Sequence, residues 1–152
     1  MNEIFFTIYG NPKALKRHRT FRRGNFVGQY DPSSGDKADF LAMALKNKPT
    51  LPLECPLKME LLFYFDRPKN HYRTGKYAKQ LKSDVASWHT SSPDCDNLVK
   101  FVCDSLNGIF YKDDRIISQI IVTKKYDNIP RTEIKITPLN NQYSNQTLLK
   151  LN

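Results

Sequence analysis

From Leu57 to Phe65 the chain alternates, with Leu57, Met59, Leu61, Phe63 and Phe65 separated by Lys58, Glu60, Leu62 and Tyr64. Successive side chains of a strand point to opposite faces, so this period of two predicts a strand with one face on a core. Ile4 to Tyr9 is a shorter β-branched and aromatic run ended by Gly10-Asn11-Pro12, which predicts a first strand running into a turn. Between Asp36 and Lys46 the period lengthens. Ala38, Leu41, Ala42 and Leu45 recur at helical spacing, Ser33 or Ser34 stands where an N-cap is needed, and Asp36 and Lys46 match the helix dipole. Pro49, Pro52 and Pro56 then block regular structure until Leu57.

Further along, Leu98, Phe101, Val102, Leu106 and Ile109 keep a helical period, and Asn107-Gly108 is a fitting stop, so a helix is expected from about Asn97 to Asn107. Arg115 to Tyr126 reads as a strand, with Ile116, Ser118, Ile120 and Val122 on one side and Ile117, Gln119, Ile121 and Thr123 on the other. A turn at Asp127-Asn128-Ile129-Pro130 leads to a last strand, Thr132 to Thr137, expected to pair with its predecessor as an antiparallel hairpin. The pattern predicts a single domain of the α/β (α+β) class over residues 1–139, a small mixed β-sheet with helices packed on it. A polar tail at 140–152 follows, frayed unless Leu148, Leu149 and Leu151 dock on a partner.

Charge adds a partner to this picture. Lys and Arg outnumber Asp and Glu by 24 to 15, a formal net charge of +9. That excess favours polyanions through phosphate contacts and counterion release, although a solvated basic face has the same balance. Two stretches hold much of it. Lys13 to Arg23 carries Lys13, Lys16, Arg17, Arg19, Arg22 and Arg23 with no acid, so self-repulsion predicts an extended loop or hairpin arm, solvated until an anion neutralises it. Arg67 to Trp88 carries Lys69, Arg73 and Lys76 with Tyr72, Tyr77 and Trp88 interleaved, a mixture that holds phosphates and stacks bases, or else a surface helix near residues 75–87 with its rings on the core. The six arm cations and Lys69, Arg73 and Lys76 are the candidate DNA contacts. No segment reaches the ~20 apolar residues that span a bilayer, and no small-residue cleavage site follows the N-terminal run, so a cytoplasmic protein with no membrane attachment is expected. Cys55, Cys95 and Cys103 are an odd number without close pairing and suit reduced thiols. A zinc site of His89, Cys95 and Cys103 has no C-x-x-C or H-x-x-x-H spacing behind it.

The carboxylates carry the chemistry. Asp94 and Asp96 stand one residue apart just before the predicted second helix, and in extended chain both project to the same side, where they can share one hard cation. Magnesium takes oxygen ligands in octahedral geometry, keeps several waters and is completed by a substrate phosphate. A third carboxylate lies in Lys112-Asp113-Asp114-Arg115, where helix out and strand back turn the chain towards the pair. Asp96, Lys100 and Asp104 fall at i, i+4 and i+8 opposite the apolar stripe, so Lys100 is placed to steady charge on a phosphate or to orient water. The same letters also fit a plain surface helix, with Asp96 as N-cap and Asp96, Lys100 and Asp104 as an ion-pair series.

The whole string is more specific than its parts. Pro93-Asp94-Cys95-Asp96-Asn97-Leu98-x-Lys100, then Asp104-Ser105-Leu106-Asn107-Gly108, then Tyr111-x-Asp113-Asp114, closely resembles the RusA family of Holliday junction resolvases. More loosely, the resemblance extends to Gly10-Asn11-Pro12 through Arg19, to Tyr30-x-Pro32 and to the final strands. It implies metal ligands at Asp94, Asp96 and Asp114, an essential lysine at Lys100, and support from Asp104, Asp113 and Asn97. It also implies a RusA-like mixed fold in a homodimer that uses Mg2+, with Mn2+ as a substitute, to nick opposed strands of a four-way junction in recombination and repair, encoded by a bacterium or a phage. A two-fold dimer would supply the second site that a second nick needs. The Lys69 to Trp88 stretch and the chain beyond Leu139 lie outside the smallest members. On the residues alone, a non-catalytic basic nucleic-acid-binding module and a nuclease for other branched DNA, such as flaps and forks, stay open.

Overall fold

In a computed structural model that describes residues 2–139, the elements follow in the order β1 (Ile4–Tyr9), β2 (Arg19–Arg23), β3 (Phe26–Tyr30), α1 (Ser34–Ala44), β4 (Leu57–Asp66), α2 (Cys95–Leu106), β5 (Ile117–Asp127) and β6 (Arg131–Pro138). The alternating run is β4, and Leu57, Met59, Leu61, Phe63 and Phe65 all face inward and are buried. They meet Phe6 and Ile8 of β1, Ile134 and Ile136 of β6, and Leu98, Phe101, Val102 and Leu106 of α2, with Phe110 and Tyr111 of the loop after it. Phe6 stacks on Phe110 at 5.2 Å between centroids, and Phe40 of α1 meets Phe101 edge-on at 5.5 Å. The opposite face of the sheet carries ion pairs, such as Lys58 with Glu60 at 3.2 Å and Arg131 with Glu133 at 2.8 Å, among exposed rings such as Phe5 and Tyr9. Mixed class and single-domain architecture therefore stand as expected.

The topology departs from the expected hairpin. β5 and β6 are not neighbours: the sheet order is β1-β6-β4-β5, so β4 lies between them. It pairs antiparallel with β6, Leu61 opposite Ile134, and parallel with β5, Leu61 opposite Val122. β4 has the longest alternating apolar face, and a central place satisfies the backbone along both of its edges. Residues 128–130 cross the end of β4, and Arg131 secures the crossing. Its Nη1 donates to the Asp127 carboxylate at 2.7 Å and the Ile129 carbonyl at 2.8 Å, while its guanidinium lies 3.8 Å from the Tyr64 ring centre. A register shift near the start of β5 places Ile117 opposite Leu57 and Ile120 opposite Met59, so its two faces do not follow the strict alternation read from sequence.

Two helical expectations also change. On α1, Ala38 and Ala42 are exposed, as is Leu45 just past its end, and Leu41 is half-buried, while Phe40 and Ala44 are the buried pair. A ring removes far more area from water than a methyl group, so Phe40 sets the rotation of the helix. At 75–87 there is no α-helix. Short 3-10 turns occupy Lys69–His71 and Gly75–Tyr77, with Tyr72 bridged to Leu81, and Gly75 has φ +62°, which breaks helical continuation. The expected tail lies outside the described residues. No described helix is long and apolar enough to cross a membrane.

Leu61 is wholly buried at the centre of the sheet. Leu61→Ala is expected to cost about 2–5 kcal/mol, seen in urea titration as a lower midpoint with little change of slope.

Candidate active site

Because β4 and β5 are parallel neighbours, the chain between them must return to the starting end, and α2 lies on that return path. Its approach is fixed before the first turn. Lys124 of β5 donates from Nζ to the carbonyls of Ser91 at 2.8 Å and Pro93 at 2.5 Å, tying down the residues that lead into Asp94. Backbone bonds from His89 to Lys124 at 3.2 Å and from Tyr126 to Ser87 at 2.9 Å lay this segment along β5. The His89 ring stacks on Phe65 at 3.9 Å and lies beside Tyr126. Burial, reinforced by the Lys124 charge, pulls the His89 pKa below its ordinary value, which keeps the ring neutral at pH 7.

Asp94 is the N-cap of α2, yet its side chain makes no capping hydrogen bond, and Asp96 is exposed in the first turn. Both carboxylates line one open cleft with Asn97 and Lys100, and its other wall is Leu15, Lys16, Arg17 and His18. That wall is pinned from below. The Leu15 amide donates to the Asn97 carbonyl at 3.0 Å, and the Lys16 amide donates to the hydroxyl of buried Ser33 at 2.8 Å. Lys13 and Lys16 reach Asp36 at 3.4 and 3.1 Å, so two arm cations share one carboxylate of α1 while their side chains stay exposed. Hydrogen bonds from their ammonium groups, that of Lys16 foremost, hold the Asp36 carboxyl below the usual aspartate range.

The ion-pair series of a plain surface helix is not formed among the described residues. Among the described residues Asp96 pairs with no cation and Lys100 with no acid, while Asp104 reaches Lys37 of α1 at 3.8 Å, which is itself held by Asp31 at 2.6 Å. Asp113 accepts from the Arg115 amide at 3.0 Å and is engaged in its own turn. Asp114 is exposed and has no ion-pair partner among the described residues. Burial raises the pKa of the Cys103 thiol and the Tyr111 phenol, and the Asp114 charge adds to both shifts. Among the described residues, no group of three or more carboxylate, thiol or imidazole side chains stands at metal-holding spacing. The Asp94 and Asp96 pair itself fits a hard divalent cation, since its donors are oxygens unengaged by caps or ion pairs and such an ion keeps water and phosphate in its shell.

The zinc set is not formed. His89 is held in its stack, Cys95 is exposed, and Cys103 is buried, its thiol pushed up to about 11 chiefly by desolvation, which opposes the thiolate that zinc requires. Of the candidate DNA contacts, Arg17, Arg19, Arg22 and Arg23 have no acidic partner among the described residues, and Arg22 bonds only the Gly24 carbonyl at 3.2 Å. Arg73 and Lys76 lie over the Tyr77 ring at 4.2 and 4.9 Å, and Lys69 is exposed. Sequence reasoning missed His18 in the cleft wall and Lys124 beneath the loop. His18 was visible as the one imidazole within the basic arm, whereas nothing local marks Lys124, because its role depends on a long-range pairing.

A profile of the endodeoxyribonuclease RusA family matches residues 9–137. The chain is 33% identical over 138 residues to the uncharacterized protein YqaN of Bacillus subtilis (strain 168), covering 90% of this chain and 96% of that protein. It is 32% identical over 114 residues to the crossover junction endodeoxyribonuclease rusA of Lactococcus phage r1t, covering 71% of this chain and 76% of the relative.

Lys124→Met removes the donor to the Ser91 and Pro93 carbonyls, so amide exchange at residues 90–97 is expected to quicken while that of β4 is retained. His89 titrates with a folded pKa below its unfolded one, so its contribution is complete above about pH 6.5 and is lost as pH falls from there. His89→Phe keeps the stack without the titration. Urea titrations at pH 7 and 5.5 are expected to show a smaller drop in stability for the variant than for the native chain.

Proposed function

The chain belongs to the RusA family of endodeoxyribonucleases, and from that premise we propose that it resolves four-way DNA junctions by paired symmetric nicks, with magnesium, or manganese in its place, at Asp94 and Asp96. One observation carries this reading: the two carboxylates, unengaged by caps or ion pairs, share a cleft with Lys100 and with the pinned basic residues Lys16, Arg17 and His18. When bound, the ion supplies Lewis-acid polarisation of the scissile phosphate.

The chain supplies the rest. Lys100 offers an ammonium group one turn beyond Asp96, where charge on the phosphate group can be stabilised. Lys16, Arg17 and His18 hold the flanking backbone against the opposite wall, and Arg19, Arg22, Arg23 and Lys13 extend that grip. Asp114 is the third oxygen donor in this reading, supported over Asp113 by Asp113's engagement in its own turn. Asp104 keeps α2 seated on α1 through Lys37, and Asn97 anchors the arm through its carbonyl. Lys69, Arg73 and Lys76 take phosphates farther along an arm of the junction. A homodimer provides the second cleft for the second strand. The setting is the cytoplasm of a bacterium recombining or repairing its own or phage DNA, where the three unpaired thiols stay reduced.

Labelled four-way junctions, flaps, forks and duplexes incubated with the purified protein test this. Paired nicks across the junction are expected only with Mg2+ or Mn2+, and Asp94→Asn, Asp96→Asn and Asp114→Asn are each expected to lower cleavage at least about a hundredfold while binding in chelator persists. Lys100→Ala is expected to lower turnover more than binding. A native protein that binds junctions but cuts none of these DNAs with either ion would leave a binding module, and preferential cutting of flaps or forks would replace the junction as substrate.

A further inference from the structure

The hairpin of β2 and β3 forms its own two-stranded sheet, separate from the main one. Its register sets Arg19 opposite Tyr30, Phe21 opposite Gly28 and Arg23 opposite Phe26, so these six residues share one face. Three rings stand on it, Phe21 with 42% of its surface exposed, Phe26 with 64% and Tyr30 with 46%. Phe21 is central, with ring centres 6.1 Å from Phe26 and 6.3 Å from Tyr30. Gly28 makes that arrangement possible: a Cβ there would come within 2.6 Å of the Phe21 ring, so the missing side chain is the seat in which the ring lies. Rings interleaved with Arg19 and Arg23 match the two surfaces of unpaired nucleic acid, flat bases and anionic backbone. A second copy of the chain would bring arginines against arginines on this face, which disfavours it as the occupant. The hairpin begins one residue after His18, in the wall of the carboxylate cleft.

We propose that the face carrying Phe21, Phe26 and Tyr30 is a stacking platform for unpaired bases, and that it holds a base released at the branch point of the DNA beside the cleavage cleft. This deepens the reading of the chain as a nuclease for branched DNA and rests on it for the identity of the strand. The platform discriminates branched from paired DNA, because bases within a duplex are already stacked on one another, whereas the arginines bind either.

The test uses the full chain in chelator, with a four-way junction carrying 2-aminopurine at the branch, a single strand with the same probe, and a duplex of equal length. The native protein is expected to change the probe's fluorescence in the junction and in the single strand. Phe21→Leu with Phe26→Leu keeps the apolar character of the hairpin but removes two π faces. It is expected to bind the junction and the single strand about tenfold more weakly, to bind duplex as before, and to keep its salt dependence. Phe26→Leu alone, at the most exposed ring, gives a smaller loss of the same kind should the double variant disturb the hairpin. Val27→Ser, on the opposite face and 60% exposed, is expected to change nothing. Equal losses on all three DNAs, no loss at all, or a change of sedimenting mass in the leucine variant would overturn the platform, the last by assigning the rings to contact between copies. If the probe responds as expected but the native protein cuts no branched DNA with metal, the nuclease reading fails and the platform stands.

Discussion

Leu57, Met59 and Leu61 lose all contact with water, and a strand so deeply buried has to be hydrogen-bonded along both edges. One edge takes β6 antiparallel and the other takes β5 parallel. The parallel choice has a geometric result: the chain cannot turn directly from β4 into β5 and has to come back through a long excursion. That excursion contains α2, whose apolar stripe of Leu98, Phe101, Val102 and Leu106 closes the core and leaves its first turn at the surface. Asp94 and Asp96 are therefore exposed and rigid together, carried by a helix anchored in the core and by a loop that Lys124 ties to β5.

Local pattern was legible and long-range choice was not. The alternation at 57–65 and the helical period at 98–106 each record which face a single element buries, so β4, β1 and α2 could be read almost to the residue. The order of strands is a different kind of fact. Asp127-Asn128-Ile129-Pro130 has the composition of a hairpin turn, and only competition for the edges of β4 separates β5 from β6. On α1 the alanines and leucines offered one stripe and Phe40 another, and the larger side chain prevailed. Of the site, the Asp94 and Asp96 pair with Lys100 was legible because all three lie within two turns of one helix. The relation of Asp114 to that pair was not, because an entire helix and a loop intervene.

The arm shows how charge density is managed before any partner arrives. Six cations without an acid between them would repel one another and keep the segment loose. Asp36 in the first turn of α1 accepts two of them, and the Leu15 and Lys16 amides bond Asn97 and Ser33. The arm is thus fixed at its root, next to the carboxylates, while the arginines beyond are left to solvent. A fixed root keeps the two cleft walls at a set spacing, and free arginines at the tip extend the reach of the positive field.

The Asp36 clasp also alters what a salt titration measures. When DNA takes over a free arginine, a condensed cation leaves the phosphate and the event is recorded in the slope of affinity against ionic strength. When it takes over both Lys13 and Lys16, the carboxylate they share is uncovered at the same moment, and it attracts cations from solution. Part of what the phosphate gives up is returned to the protein surface, so such exchanges weigh less in that slope. A count of phosphate contacts drawn from salt dependence would fall short of the number of cations that touch the backbone.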